Sequence, residues 1–362
     1  MLIKIANFFV LSIYFLVLIV ALDVGPFKPT IASLILGILG LSAFLTILSS
    51  IAKYINLVDK PDERRKSHLG AIPLIGGLAI FISLIYGSIL LGIDYFFQIL
   101  LISLVPLIFI GILDDFKGVS IILRLVVQVI SSWIVIIFTD IYIKDLGDLF
   151  GQGVINLNEF GIPFTIFCVV GICNAFNMLD GKDGLTGSVS LLVFMGLLIL
   201  LSFNSMEYQL GMILIPTLLV FLAFNMNLFG INRKIFLGDH GALGLGHLIA
   251  WNLIYFSQEV NVLTPASALW LVFYPLTDTL VTFIRRLKSE KSIFKPDRHH
   301  LHFILTDYGL SDLKVYLLVV FISIIGAVIS ITSNIFIFPE YLVFYTYLTA
   351  LFFFFLITRK KL

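Results

Sequence analysis

Charge is scarce in this sequence, and its scarcity excludes most soluble folds. Of the 362 residues, 12% are charged and 60% are hydrophobic, whereas a typical soluble domain is about a quarter charged. The mean hydropathy of +1.10 leads to the same conclusion. The sequence lacks segments of about ten residues that alternate apolar and polar positions, as barrel strands do. The apolar segments must therefore cross a membrane as helices, which satisfy their own backbone hydrogen bonds.

Cysteine is rarer still, which excludes a fold held together by disulfides. The 2 cysteines, Cys168 and Cys173, lie five residues apart on one apolar segment. This spacing is neither a CxxC motif nor a framework of paired cysteines. We expect both side chains to be small buried hydrophobic groups.

Apolar runs of about 18–22 residues, the length that spans a bilayer as a helix, recur along the whole chain. They predict an all-α fold, a polytopic membrane bundle of about 11–12 transmembrane helices that forms a single domain over residues 1–362. The first run lacks a small-x-small cleavage site at 23–27 and is interpreted as a retained helix. The predicted spans are 5–22, 30–51, 72–91, 95–113, 119–138, 160–173, 185–203, 210–229, 241–257, 264–284, 315–334 and 340–358.

Basic residues divide the loops into two classes. One side holds nearly all loop lysines and arginines, whereas the opposite loops hold only Lys28 and Lys144. The positive-inside rule makes the crowded side cytoplasmic, together with both termini. Every polar cluster emerges on that side, so we expect a cytoplasmic-face active site built by distant parts of the chain. Its loops are 53–73, 114–118, 174–187, 230–240 and 285–313, and the external segment 140–159 stays unassigned.

The densest polar cluster, 174–187, lies between two apolar runs. It contains Asn174, Asn177, Asp180 and Asp183 within ten residues, with glycines among and after them. Polar groups at the mouth of membrane helices are costly to keep without a purpose. An ordinary turn needs one or two such residues and would not explain four. We therefore interpret this cluster as part of the active site.

A pair of acids, Asp114 and Asp115, ends the fourth predicted span. Adjacent carboxylates repel each other, so two ionised ones at a membrane edge indicate a cation or a basic partner. Mg2+ takes oxygen ligands, usually one or two carboxylates plus substrate phosphate oxygens. A solvated helix end is the alternative, but acids at a helix C-terminus oppose the helix dipole.

Asp239 begins a glycine-rich run, 238–246, that superficially resembles a nucleotide-binding loop. No strand precedes the run and no βαβ unit surrounds it, so that interpretation fails. The glycines instead predict close packing of a membrane helix. Asp239 then either faces the active site or only caps this helix.

The last large loop carries Arg298, His300 and His302 among other basic residues. Imidazoles beside a guanidinium indicate a diphosphate-binding site or a protonated acid. A zinc site is the alternative, although the histidine spacing fits no standard closed zinc site and the acids elsewhere favour Mg2+. Asp278, an acid inside the tenth predicted span, is either functional or pairs two helices.

Together these motifs resemble the polyprenyl-phosphate N-acetylhexosamine-1-phosphate transferase family. The most similar branch uses UDP-N-acetylglucosamine or related UDP-sugars to start O-antigen, common-antigen or teichoic-acid linkage units. The muramoyl-pentapeptide branch typically carries adjacent histidines near the C-terminal loop, whereas this sequence has spaced ones. The resemblance runs from residue 59 to about 310, through 59–61 with 72–77, 114–115, 174–185, 238–239 and 296–302.

The resemblance implies catalytic and metal-binding roles for four residues. Asp114 and Asp115 match an aspartate pair in which one member deprotonates or positions the lipid phosphate, while the pair helps to hold Mg2+. Asp115, Asn177 and Asp239 match metal ligands. Asp239 joins the aspartate pair as a catalytic candidate, and Mn2+ is the alternative ion.

The other matches imply substrate binding. The predicted substrate-binding set is Lys60, Lys117, Asn174, Asp180, Asp183, Arg298, His300 and His302. Within it, Asp180 and Asp183 match residues that recognise uracil, and the last three match diphosphate-binding positions. Two departures remove groups that the branch often has, since Phe303 replaces a histidine and Ala242 replaces a serine.

The implied function is a Mg2+-dependent transferase of the bacterial cytoplasmic (inner) membrane. It transfers N-acetylhexosamine-1-phosphate, first of all GlcNAc-1-phosphate, from a UDP-N-acetylhexosamine to undecaprenyl phosphate and releases UMP. Direct transfer and an aspartyl-phosphate intermediate both stay open.

The expected partners are the UDP-sugar, undecaprenyl phosphate and membrane lipids, and no nucleic acid. The oligomeric state is open, with a homodimer as one option. The competing predictions are a muramoyl-pentapeptide transferase of the same family and a transporter of lipid-linked solutes, although transporters place their sites near the membrane midplane.

Overall fold

The computed structural model describes residues 45, 47–60, 70–288 and 300–358. The first predicted span, most of the second, loop residues 61–69, Arg298 and both termini lie outside the described residues.

The described chain is helical apart from one small antiparallel sheet, β1 (Val58–Asp59) with β2 (Ile72–Pro73). Its α-helices are α1 (Gly76–Leu91), α2 (Tyr95–Lys117), α3 (Ile121–Thr139), α4 (Gly161–Leu179), α5 (Leu185–Phe203), α6 (Gln209–Asn225), α7 (Asp239–Gln258), α8 (Pro265–Leu271), α9 (Phe273–Lys288), α10 (Leu301–Asp307), α11 (Asp312–Ile335) and α12 (Glu340–Thr358). Short 3-10 turns cover Asn158–Phe160 and Ile231–Arg233.

The predicted all-α membrane bundle is confirmed. Among the described residues, 6 helices are long and apolar enough to cross a membrane, and a bent pair of helices brings the number to 7. Two further apolar helices, α1 and α6, are shorter. Helix α7 is buried on nearly every side, as expected for a helix inside a bundle rather than at its lipid surface. The protein is therefore a multi-pass membrane protein.

The predicted span 264–284 is not one straight helix. The axes of α8 and α9 differ by 88°, and Val272 is the single residue between them. Pro275 lies just inside α9, and a proline has no N–H to bond the carbonyl four residues earlier in a continuous helix. The proline is tolerated in the first turn of a new helix, where the N–H groups lack helical partners. Pro275 is thus compatible with a helix that starts anew at Phe273, whereas Pro106 and Pro216 lie inside continuous helices.

Helix α4 is longer than its predicted span of 160–173. It continues to Leu179, so that Asn174 and Asn177 belong to its last turns and not to a loop. The apolar residues between them, Ala175 and Phe176, are buried and continue the helical pattern to the end of the core. The loop interpretation of residues 174–179 was wrong, because core packing extends the helix through the polar positions.

The described chain falls into two compact units. The first comprises residues up to 120 together with 208–245. Within it, α1 packs against α2 and α6. Gly87 allows a close approach, since a Cβ there would lie 2.7 Å from a methyl carbon of Ile213.

The second unit comprises residues 121–207 and 246–362. Helix α3 packs on α4, α4 on α9, and α11 on both α5 and α8. An aromatic group of Trp270, Phe273 and Tyr347 lies in its core, with the first two rings stacked 4.9 Å apart. The Trp270 indole N–H donates to the carbonyl of Val343 at 3.0 Å, so its polar atom is satisfied.

Residues 140–157 of the unassigned segment 140–159 form an ordered hairpin in the second unit, and a 3-10 turn begins at Asn158. Leu146 and Ile155 pair through the backbone, and the amide of Gln258 accepts from the N–H groups of Lys144 and Asp145 at 2.7 and 3.2 Å. The Glu340 carboxylate accepts from the N–H of Asp148 at 2.8 Å. These contacts fix the hairpin to the ends of α7 and α12.

Glu340 also accepts from the N–H of Ala266 at 3.1 Å, in the first turn of α8. We expect Glu340→Ala to lower the free energy of unfolding by about 1–3 kcal/mol, because two backbone donors lose a charged acceptor. The measurement is the thermal melting temperature of the detergent-solubilised protein. Glu159→Ala, an exposed acid after the same hairpin, should leave the melting temperature unchanged; equal shifts in the two variants would contradict the assignment.

Candidate active site

Two loops of the first unit are joined by backbone hydrogen bonds. The N–H of Phe236 donates to the carbonyl of Pro73 at 2.9 Å. In return, the N–H groups of Gly76 and Gly77 donate to the carbonyls of Phe236 and Leu237, each at 2.9 Å. The chain before α7 is therefore fixed against the first turn of α1.

Glycines then allow three helices of this unit to meet without intervening side chains. A Cβ on Gly77 of α1 would lie 2.1 Å from the Cα of Gly241 in α7. A Cβ on Gly111 of α2 would lie 2.3 Å from the Cα of His240. Neither position has room for a side chain. The C-terminal end of α2 therefore touches the N-terminal end of α7.

This contact brings the side chain of Asp115 on α2 to the backbone of Asp239 on α7. One carboxylate oxygen of Asp115 accepts from the backbone N–H of Asp239 at 3.1 Å. The other oxygen lies 2.7 Å from Nδ1 of His240, with side-chain exposures of 7% for Asp115 and 0% for His240. Asp115 thus lies at the positive N-terminal end of α7, which favours a negative charge. At the end of α2, the dipole of that helix disfavours the negative charge of Asp115. The dipole of α7 offsets this effect.

Asp114 shapes the turn that follows α2. Its carboxylate accepts from the N–H of Val119 at 2.6 Å, across Gly118, whose φ of 70° favours glycine. Two predicted substrate-binding residues of this unit are exposed, with Lys117 at the end of α2 and Lys60 just after β1. Asp114, Asp115 and Asp239 together are called the acidic site below.

The acidic site has the donor chemistry that Mg2+ prefers. The carboxylate of Asp115 lies against the backbone N–H of Asp239, and Mg2+ is typically held by one or two carboxylates plus substrate oxygens and water. Within the described ranges, no group of three or more His, Cys, Asp or Glu side chains could by itself hold a metal ion. The pair therefore fits an ion that is completed by substrate, and Asn177, the third predicted ligand, lies in the second unit.

In the second unit, Asn174 contacts another helix. Its amide donates to the side-chain oxygen of Gln128 on α3 at 2.8 Å and to the carbonyl of Val170 at 2.8 Å. Asn177 and Asp180 follow at three-residue steps along α4, which places the three on neighbouring positions of its surface. Asp180 ends the helix, and Asp183 is exposed in the turn beyond it.

The same turn lies against the histidine segment, although the two are far apart in sequence. A Cβ on Gly181 would lie 2.8 Å from the tip of the Phe303 ring and 3.4 Å from Nε2 of His302. Lys182 forms an ion pair with Asp312 at the start of α11. The structure therefore brings the predicted uracil-binding and diphosphate-binding motifs together.

His300 and His302 are both buried at the start of α10. Nδ1 of His300 lies 2.8 Å from the carboxylate of Asp278, and the two imidazole rings are nearly parallel, with centroids 5.7 Å apart. Nδ1 of His302 lies 3.4 Å from the hydroxyl of Tyr274. Asp278, His300 and His302 are called the histidine site below.

The pKa of His302 lies below its usual value. Burial lowers it to about 4, and the neighbouring His300 and Lys182 act in the same direction, against the effect of Asp278. His302 is therefore uncharged at neutral pH, and a neutral imidazole binds a phosphate oxygen as a single N–H donor.

Comparison with known proteins agrees with the motifs. Residues 97–257 match the model of a family described as glycosyl transferase family 4. The chain is 32% identical over 81% of its length to the undecaprenyl-phosphate alpha-N-acetylglucosaminyl 1-phosphate transferase of Yersinia pestis, covering 81% of that protein. It is 31% identical to the Escherichia coli K12 protein of the same name, with 85% of each chain covered. The Haemophilus influenzae protein of that name is 33% identical, over 84% of this chain and 87% of its own.

The chain belongs to glycosyl transferase family 4. The predicted family is thereby confirmed, and the protein is a transferase. Asp114, Asp115, the 174–187 cluster and Asp239 all lie within the matched residues, whereas the histidine site follows them.

Sequence reasoning missed three described residues of this family 4 transferase whose side chains contact predicted site residues, namely His240, Gln128 and Tyr274. His240 pairs with Asp115, and Gln128 pairs with Asn174. The available signals were a histidine directly after Asp239 and a glutamine in the middle of a mostly apolar span. Each is a buried polar residue that needs a partner, but the sequence does not say which one.

The two departures from the branch pattern also have a structural setting. Ala242 is fully buried in the first turn of α7, where its methyl group replaces the usual hydroxyl. The Phe303 ring packs 4.3 Å from the centroid of His302 and fills the space above Gly181. In this family 4 transferase, an aromatic contact therefore stands where a further imidazole is frequent.

The close approach at Gly111 generates a prediction. Replacing a mid-helix glycine by alanine normally stabilises a helix by up to about 1 kcal/mol. We expect Gly111→Ala instead to destabilise the transferase by about 1–3 kcal/mol, because its methyl group would press on the backbone of His240. The readout is the melting temperature in detergent. Gly171→Ala is the matched control, since nothing lies within 4 Å of its added Cβ; a loss of stability there as well would contradict the explanation.

A second prediction concerns pH. The folded pKa of His302 is about 4 and the unfolded value about 6.5, so protonation favours the unfolded state. The stability that His302 contributes is present above pH 6.5 and is lost as the pH falls towards 4, by at most about 1.4 kcal/mol per pH unit. Melting temperatures of wild type and His302→Gln should therefore converge as the pH is lowered through this window. Parallel curves would show that His302 does not titrate in this way.

Proposed function

We propose that this transferase moves GlcNAc-1-phosphate from UDP-GlcNAc to undecaprenyl phosphate. The observation that carries the proposal is the glycine-packed contact that holds Asp115 against the start of α7 at Asp239. Relatives that carry the name of this activity match 81–85% of the chain, which supports the same acceptor and the same transferred group. The products are undecaprenyl-diphospho-GlcNAc and UMP.

In the proposed reaction, a phosphate oxygen of the lipid forms a bond to the β-phosphorus of the UDP-sugar. The bond between that phosphorus and the bridging oxygen breaks, and UMP leaves with the oxygen and its electron pair. In an aspartyl-phosphate route, an aspartate oxygen would first bond to the β-phosphorus as UMP leaves. A lipid phosphate oxygen would then bond to that phosphorus as the bond to the aspartate breaks. In either route the protein contributes mainly by positioning the reactants and stabilising charge.

The residues have distinct proposed roles. Asp115 and Asp239 would hold Mg2+, or Mn2+ in its place, and a bound cation would neutralise charge on the diphosphate. Asp114 positions or deprotonates the lipid phosphate. His300 and His302, with Arg298, bind the donor diphosphate; Asp180 and Asp183 recognise uracil. Lys60, Lys117, Asn174 and Asn177 keep their predicted roles in substrate and metal binding.

We place the reaction at the cytoplasmic face of the bacterial inner membrane, where UDP-sugars are available. The dominance of basic residues in the loops that carry the motifs supports this orientation. In this location the enzyme would perform the first membrane step of a cell-surface polysaccharide. A preference for UDP-muramoyl-pentapeptide would instead place the protein in the other branch.

The test is UMP release by purified protein with undecaprenyl phosphate, Mg2+ and a panel of UDP-N-acetylhexosamines. We expect UMP only when lipid and divalent ion are both present, with UDP-GlcNAc preferred, and loss of activity with EDTA that added Mg2+ restores. No UMP with any donor, from protein with a normal melting transition, would overturn the proposal.

Asp115→Asn should lower the rate of UMP release at least about 100-fold, because one charged group that organises the reacting phosphates is removed. Asp94→Asn is the matched control, an exposed aspartate at the opposite end of the same helix, and should keep the wild-type rate. Melting temperatures of both variants are measured alongside. A folded Asp115→Asn protein with the wild-type rate would remove Asp115 from the acidic site.

A further inference from the structure

One face of α9 carries two buried polar side chains a single helical turn apart, Tyr274 and Asp278. Each reaches one histidine at the start of α10, since the Tyr274 hydroxyl lies 3.4 Å from Nδ1 of His302 and the Asp278 carboxylate lies 2.8 Å from Nδ1 of His300. Residues four apart lie on the same side of a helix. The spacing on α9 therefore matches the two-residue spacing of the histidines, and both rings are held from one helix.

Asp278 uses both of its oxygens on this segment. One lies against the His300 ring, and the other accepts from the backbone N–H of Leu301 at 2.8 Å. The carboxylate is only 6% exposed, and a buried carboxylate is costly unless it is paired and hydrogen-bonded. Because a carboxylate only accepts, Nδ1 of His300 must donate to it, and the second ring nitrogen, Nε2, is left for a ligand.

Capping of α10 does not require this arrangement. His300 precedes the first residue of α10, and its own side chain makes no capping hydrogen bond. A serine or asparagine at that position would cap the helix locally. The chain instead holds an imidazole there with a carboxylate from another helix, and the ring lies parallel to that of His302, within 12°.

We propose that Asp278 is a positioning residue of the transferase, which fixes the ring of His300 so that Nε2 meets the diphosphate of the UDP-sugar. The inference rests on the proposed function, because it assumes that His300 contacts the donor. Asp278 itself touches no substrate and acts through the imidazole, and Tyr274 holds the parallel ring of His302. The break at Val272 begins α9 just before these two anchors and so sets their position.

The test is a double-mutant cycle on UMP release, with Asp278→Asn, His300→Gln and the combined variant. Loss of a carboxylate that orients a metal-ligating histidine costs about 10–100-fold. By analogy, we expect each single variant to lower kcat/KM for the UDP-sugar by about that factor. The kcat/KM of the combined variant should be no lower than that of the less active single variant, because the two residues act as a unit. The KM for undecaprenyl phosphate should stay unchanged.

Thr277→Val is the control for a purely structural effect. Thr277 is the neighbour of Asp278 on α9, is fully buried and bonds the hydroxyl of Tyr347 at 3.3 Å. This variant should lower the melting temperature and leave the KM for the UDP-sugar unchanged. If Asp278→Asn gives no folded protein, Asp278→Glu replaces it in the cycle, with a smaller deficit that again vanishes in the His300→Gln background.

The outcomes separate the two hypotheses. UMP release by wild type together with multiplicative losses in the combined variant would overturn the positioning role and leave the proposed function standing. If wild type releases UMP and His300→Gln keeps the wild-type kcat/KM, the positioning role is again overturned and the proposed function stands. No UMP release by folded wild type would overturn the proposed function and, with it, this inference.

Discussion

The carboxylate of Asp115 forms the contact on which the acidic site depends. It bridges the last turn of α2 to the first N–H of α7 and to the ring of His240, and it can do so only because Gly77 and Gly111 leave no side chain between the backbones. A carboxylate at the end of α2 faces the unfavourable pole of that helix, and the start of α7 supplies the favourable one. The helix dipoles and the close packing at the glycines therefore both favour this position of the Asp115 carboxylate.

The histidine site depends on a different constraint, the break between α8 and α9. If α8 and α9 formed one straight helix, Tyr274 and Asp278 would lie along the axis of α8. The 88° bend places them along a different axis. After the bend, these side chains hold His300 and His302 by their Nδ1 atoms. Both sites therefore use one strategy, in which a buried acid from one helix fixes the start of another helix and an imidazole beside it.

Much of the architecture could be predicted because membrane helices follow directly from local composition. The span predicted at 185–203 coincides with α5 (Leu185–Phe203), and the neighbouring spans differ by a few residues at their ends. Errors arose where a polar pattern met a helix that tertiary packing extends, as at Asn174 and Asn177, or where an apolar run is broken between two helices, as at Val272. Helix ends depend on caps and core contacts, which an apolar run does not encode.

The site residues could be named from their types and order, but their partners could not. Phosphate chemistry is indicated by a pair of aspartates, a dense cluster of amides and carboxylates, and spaced histidines. These residue types do not reveal how the groups are placed relative to one another. The bonds from Asp115 to His240, from Asn174 to Gln128 and from Asp278 to His300 join residues separated by 125, 46 and 22 positions. Hydrogen bonds are short and directional, and only the folded chain brings such distant groups within reach.

The sequence by itself therefore determined the membrane class, the helices and the chemical types available for the reaction, because hydrophobicity and residue chemistry are local properties. Tertiary structure alone decided which carboxylate meets which imidazole, that Asp278 is an anchor rather than an isolated buried acid, and that Gly181 lies beneath His302 and Phe303. Those outcomes depend on the mutual placement of helices, which is set by packing across the whole core of each unit.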